Sequence, residues 1–174
     1  MRAMAPGTTR TVVREADGTT TEYDEVPVDG DTVERLLTEI FRDHWASIFA
    51  GPVIEGAAYE IRFERAPRVS MLDGYLTIDT GPWHFHLCVN DHRGAPTPEQ
   101  ARIRRVARAA FFQTDGGTCV PAVWGLRLWN GRGEQMVTVY FPNPWLDDDD
   151  ARVREPRWER TALWEDLRRR YAGT

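Results

Sequence analysis

Apolar residues along this chain recur at two spacings, and the changes between them divide it into helices and strands. Val33, Leu36, Leu37, Ile40, Trp45, Ile48 and Phe49 follow Asp31 close to helical spacing. Glu34 stands three places after Asp31, as in a capping box, and Gly51-Pro52 stops the run, so a first helix is predicted over 31–49. Thr97-Pro98-Glu99-Gln100 has the form of an N-cap, a proline at the first helical position and a capping-box glutamine. It predicts a second helix running to about Gln113, with Ile103, Val106, Ala107, Ala110 and Phe111 inward and Arg102, Arg104, Arg105 and Arg108 outward. A third stripe, Leu163, Trp164, Leu167 and Tyr171, predicts a helix over 158–171.

Elsewhere the period is two. The runs 9–16 and 19–26 flank Asp17-Gly18, and 69–72 and 75–79 flank Asp73-Gly74, both strong hairpin signals. The runs 118–129 and 134–141 flank Asn130-Gly131-Arg132-Gly133 as a further hairpin. Tyr59, Ile61 and Phe63 alternate with charged residues, which predicts a half-exposed strand. The first hairpin is polar on both sides and is expected at the periphery. Residues 1–8 read as a loose tail. The remainder, 9–174, reads as a single α+β domain, a mainly antiparallel β-sheet with about three helices packed on it.

The strand expected over 83–90, Trp-His-Phe-His-Leu-Cys-Val-Asn, concentrates the chemistry. Alternation sets His84, His86 and Cys88 on one face and Trp83, Phe85, Leu87 and Val89 on the other. Imidazole and thiolate are preferred ligands of zinc, iron and copper, so a buried strand carrying a transition-metal site is expected. Geometry narrows the ligand set. At ~3.3 Å per residue, the Cα atoms of His84 and Cys88 stand ~13 Å apart, too far for one ion unless a bulge bends the strand. The pair His84 and His86 reaches one ion without distortion. Further ligands are sought among His92, Asp91, His44, Asp73, Asp79, Glu134 and Cys119, with Asp91 and His92 also placed to transfer protons.

Composition limits the alternatives. All 22 basic residues are arginine, a pattern that suits a GC-rich bacterial genome. The absence of lysine removes Schiff-base, P-loop and kinase-type chemistry. Neither Ser47 nor Ser70 sits in a Gly-x-Ser-x-Gly elbow, and no Gly-x-Gly-x-x-Gly follows a strand. A net charge of −5 offers no general attraction to nucleic acid. No apolar run approaches a membrane span, and a cytoplasmic protein is expected. Asp147–Asp150 reads as a solvated loop, because four consecutive side chains cannot converge on one ion.

Several segments resemble the Stay-Green family of magnesium dechelatases, which remove the metal from chlorophyll. Phe49-Ala-Gly-Pro-Val-Ile-Glu55 is similar to that family's Phe-Gly-Pro-x-x-Phe-Glu segment, and Trp83–Asn90 resembles its His-x-His-Cys-His strand. Arg108-Ala-Ala-Phe-Phe112 and Val137-Thr-Val-Tyr-Phe141 fall in similar places. The resemblance covers about half the chain and implies a related fold with a tetrapyrrole ligand. The family's upstream His-Ser-Asp strand has no counterpart, since Ser70-Met-Leu-Asp-Gly74 lacks the histidine. Its dechelating residues therefore do not carry over.

The sequence thus leads to a small-molecule site over His84, His86 and Cys88, in first place that of a metalloenzyme. A metal-free ligand or tetrapyrrole binder using the same histidines, and a partner-binding domain with a purely structural strand, are the alternatives.

Overall fold

The computed structural model describes residues 10–54, 56–117 and 120–172; the tail expected over 1–8 and Cys119 lie outside them. The chain begins with strands β1 (Arg10–Arg14) and β2 (Thr20–Val26), helix α1 (Thr32–Asp43) and a 3₁₀ turn at Trp45–Ser47. Short strands β3 (Phe49–Gly51), β4 (Val53–Ile54), β5 (Ala57–Ala58) and β6 (Ile61–Arg62) come next. Then follow β7 (Arg68–Leu72), β8 (Tyr75–Asp79), β9 (His84–Cys88) and helix α2 (Pro98–Arg104). Strands β10 (Val106–Asp115), β11 (Ala122–Asn130) and β12 (Gln135–Tyr140), a 3₁₀ turn at Trp158–Thr161 and helix α3 (Ala162–Tyr171) complete it.

Every strand pairing among these residues is antiparallel. A seven-stranded sheet has the order β1-β2-β10-β11-β12-β3-β6, and a three-stranded sheet the order β7-β8-β9; β4 and β5 form a separate hairpin. One core unites the two larger sheets. Leu36, Leu37, Ile40 and Phe41 of α1 meet Leu76, Ile78 and Leu87 of the three-stranded sheet and Phe111, Leu126, Leu128, Val137 and Val139 of the seven-stranded one. Trp164 and Leu167 of α3 join the same cluster. Each such side chain contributes about 1.5–3 kcal/mol by leaving water. The α+β class and antiparallel pairing expected from the sequence are observed.

Four expectations need correction. Residues 106–115 form not the end of a helix but β10, the strand between β2 and β11. The helical part stops at Arg104, although its start is as predicted: the Thr97 hydroxyl accepts the Gln100 N–H, and Pro98 follows it. Both faces of β10 are covered, with Ala109 and Phe111 toward the main core and Ala110 and Phe112 toward an aromatic cluster outside, so no polar alternation marks it as a strand. The first helix likewise ends at Asp43, and Phe49–Gly51 becomes a sheet strand beside β12. Asp31 does not cap that helix through its side chain but pairs with Arg35 at 3.2 Å. Finally, only β1 of the N-terminal hairpin is peripheral; β2 pairs along β10 from Ala109–Val26 to Asp115–Thr20.

Candidate functional site

The β8–β9 hairpin sets the site. Asp73 and Gly74 take positive φ values of 47° and 83°, which turns β7 into β8 as the Asp-Gly pair predicts. The Thr80–Trp83 turn then sends the chain back as β9, closed by the Thr80 N–H donating to the Trp83 carbonyl at 3.0 Å. Pairing across the three strands gives successive rows Arg68/Asp79/His84, Ser70/Thr77/His86 and Leu72/Tyr75/Cys88, all on one face. The opposite face carries Leu76, Ile78, Phe85 and Leu87 onto the core.

The expectation of a buried strand is corrected here. β9 is the edge of its sheet, and His84 and His86 are exposed. Their rings stand 4.9 Å apart at the centroids with 66° between their planes. His86 Nδ1 lies 2.8 Å from the Thr77 hydroxyl. Among the described residues, no hydrogen-bond partner is found for His86 Nε2. Cys88, at the other end of the same face, is buried, and its Sγ–H donates to the Asn90 carbonyl at 3.3 Å. Burial pushes its thiol above the usual range, which outweighs the opposite pull of Tyr75 and Arg104 and keeps the sulfur protonated.

The other candidates are engaged elsewhere. Asp91 pairs with Arg105 at 3.0 Å. His92 Nε2 is 3.2 Å from Asp73, its Nδ1 is 3.3 Å from Arg104, and its ring meets Tyr75 edge-on at 5.1 Å. Asp73 also accepts the backbone N–H groups of Arg93 and Gly94, which hold its carboxyl below the usual range. His44 faces Glu39 at 3.7 Å, Asp79 binds Arg68 at 2.6 Å, and Glu134 accepts from Asn130 inside its own turn. Among the described residues, no three His, Cys, Asp or Glu side chains are grouped to hold a metal ion.

Tyr75 and Thr77 escaped the sequence reading. Tyr75 stands edge-on to both His86 and His92, and Thr77 fixes His86. The signal was available: extending the pairing outward from Thr80-Gly81-Pro82 aligns Asp79, Thr77 and Tyr75 with His84, His86 and Cys88.

Two concavities lie away from this face. One, of about 1000 Å³, opens beside the β3–β12 end of the large sheet. The other, of about 350 Å³, is polar and lies between α3 and β2, where Arg10 and Arg168 hold the buried Asp24. Among the described residues, no helix is long and apolar enough to cross a membrane.

Solved structures with a similar fold include the heme binding protein ChuX, with a TM-score of 0.50, 16% identity, and coverage of 87% of this chain and 76% of that one. A protein of Agrobacterium tumefaciens matches with a TM-score of 0.54 and 16% identity over 84% of this chain and 70% of its own. One from Erwinia carotovora matches with a TM-score of 0.54 and 11% identity over 86% and 74%. At these identities the likeness establishes the fold. No curated protein sequence matches the chain. Residues 10–173 match the profile of one sequence family, and the chain accordingly belongs to the family described as "Family of unknown function (DUF7676)".

Proposed function

We propose that this protein binds a metal-bearing tetrapyrrole, with heme as the ligand to test, on the exposed face of the three-stranded sheet, and that His86 would hold its metal. The observation that carries this reading is the pairing of Thr77 with His86 Nδ1 at 2.8 Å beside a second exposed imidazole. An Nδ1–H donated to the hydroxyl leaves the Nε2 lone pair directed away from Thr77, and a hydrogen bond of this kind sets both tautomer and ring orientation in iron and zinc ligation. The fold of ChuX, whose name states that it binds heme, supports the same ligand class, as does the resemblance to tetrapyrrole dechelatases.

The residues present fit such a group in donor type and area. Three strands and three rows span about 10 Å by 13 Å, enough for a planar ligand. Leu72, 77% exposed, and half-buried Tyr75 offer apolar contact, and Arg68, paired with Asp79 at 2.6 Å, lies on the same face. Rings 4.9 Å apart on one strand face cannot enclose a macrocycle between them. One histidine, His86, would therefore hold the metal, with His84 beside it on the same strand face. The bound group would supply the Soret band through its macrocycle and a coordination position through its iron; the chain's own part is to orient His86 and hold its tautomer.

Hemin titration followed at the Soret band tests this. Wild-type protein is expected to bind one hemin, with affinity at least tenfold weaker in His86→Ala and a smaller loss in His84→Ala. An unchanged spectrum and affinity in the double variant would overturn the proposal.

A further inference from the structure

The large cleft has no part in the histidine face, and its lining has a distinct chemistry. Ile48, Phe49, Val123, Tyr140, Leu146 and Leu163 give it apolar walls. Its volume of about 1000 Å³ is at the upper end for small-molecule pockets. Four carboxylates (Glu60, Asp148, Asp150, Glu159) and two guanidiniums (Arg62, Arg160) line its rim.

Both cations are already committed. Arg62 binds Asp150 at 2.7 Å and lies 4.3 Å over the Phe49 ring. Arg160 binds Asp148 at 2.5 Å and donates to the Asn143 carbonyl at 3.1 Å. Glu60 and Glu159 have no ion-pair partner among the described residues. The lining of an apolar cleft thus carries two carboxylates without an ion-pair partner among the described residues, while Arg157 acts on Asp148 from beyond the lining. Burial pushes the Tyr140 phenol up, against the pull of the Arg127 charge and with a smaller push from Glu60, so this wall presents a neutral hydroxyl.

From this arrangement we infer that the cleft is a second ligand site, selective for an aromatic small molecule carrying positive charge. The apolar walls take the ring system, and Glu60 and Glu159 attract the charge. A dianionic ligand such as heme meets repulsion at the same mouth, which separates this site from the histidine face in ligand class as well as in place.

Two xanthene dyes of similar shape and opposite charge provide the test: rhodamine 123, a cation, and fluorescein, an anion at pH 7.5. Fluorescence anisotropy is expected to show rhodamine binding at least tenfold tighter than fluorescein. Glu60→Gln/Glu159→Gln, both exposed positions, is expected to cut that ratio at least fivefold without shifting the melting temperature. Leu163→Arg is expected to abolish rhodamine binding, whereas His84→Ala/His86→Ala leaves it unchanged. Binding of neither dye, tighter binding of fluorescein, or a ratio unaffected by the glutamine variants would each overturn the inference. If Leu163→Arg fails to fold, the glutamine variants still decide.

Discussion

The Thr77 hydroxyl and His86 Nδ1 meet 2.8 Å apart across the β8–β9 pair, so one of the two ring nitrogens is engaged by the neighbouring strand. Thr77→Val keeps the β-branched shape and removes the hydrogen bond. Loss of an outer partner of this kind weakens metal ligation about 10–100-fold. Hemin affinity is expected to fall by about tenfold while His86 remains exposed. Equal affinity in the two proteins would show that the hydroxyl does not orient the ring.

Gly125 allows β11 to pass beneath an aromatic ring. A Cβ there would stand 2.2 Å from Cε1 of Phe112 and 2.9 Å from the Val139 carbonyl oxygen. Phe112 is 1% exposed and has the Arg127 guanidinium 4.5 Å over its ring, so it has little room to retreat. Gly125→Ala is expected to destabilise by about 2–3 kcal/mol through overpacking, read as a lower urea midpoint at unchanged slope. A loss below about 0.5 kcal/mol would show that the ring yields freely.

Glu39 ties α1 to α3. Its carboxylate accepts from Arg170 at 2.6 and 3.0 Å and from the Tyr171 hydroxyl at 2.6 Å. The Arg170 hydrogen bonds, aided by Tyr171 and opposed by burial, hold its pKa down from 4.5 to about 2. The folded form thus releases this proton more readily than the unfolded chain. The stability gained is fully present above pH 4.5 and disappears as pH falls through about 2. Glu39→Gln is expected to cost about 2 kcal/mol at pH 7, with the difference shrinking steadily between those limits. A difference independent of pH would show that packing, not charge, holds the contact.

Asp24 is the buried acid of the large sheet, 4% exposed, and it joins Arg10 on β1 to Arg168 on α3. Burial alone would raise its pKa, but the hydrogen bonds from both arginines more than offset this and hold it low. Asp24→Ala leaves Arg168 largely buried without its counter-ion, and a loss of about 3 kcal/mol is expected in urea unfolding. Adding Arg168→Met should restore part of that loss; no recovery would show that the arginine finds another partner.

How much of this was legible depended on which faces each element covers. The β7–β8–β9 meander was readable because one face is solvated: Thr77, His84 and His86 alternate with Leu76, Ile78 and Leu87. The same alternation put the histidines and Cys88 together, but it could not say that β9 would be an edge, and hence exposed, because edge position depends on strand order. Strand β10 was misread because Ala109, Ala110, Phe111 and Phe112 are buried on both sides and alanine favours helices, so periodicity carried no signal. The bulge between Val106 and Arg108 disturbed what alternation remained. Tertiary pairing decided that segment.

The position of β10 also governs how the chain must fold. Its partners are the adjacent β11 and the distant β2, where the hydroxyls of Thr21 and Thr114 meet at 2.9 Å although 93 positions apart. Strand β3 joins the opposite side through β12, with the β7–β9 meander and α2 lying between the two in sequence. Helix α1 and the β7–β9 meander can form early from local contacts, whereas the large sheet must wait for residues beyond 130 and for the closure of long loops. Slow folding, in milliseconds to seconds rather than microseconds, is expected from that wiring, with β2 paired to β1 on one side and its other side open to aggregation until β10 arrives.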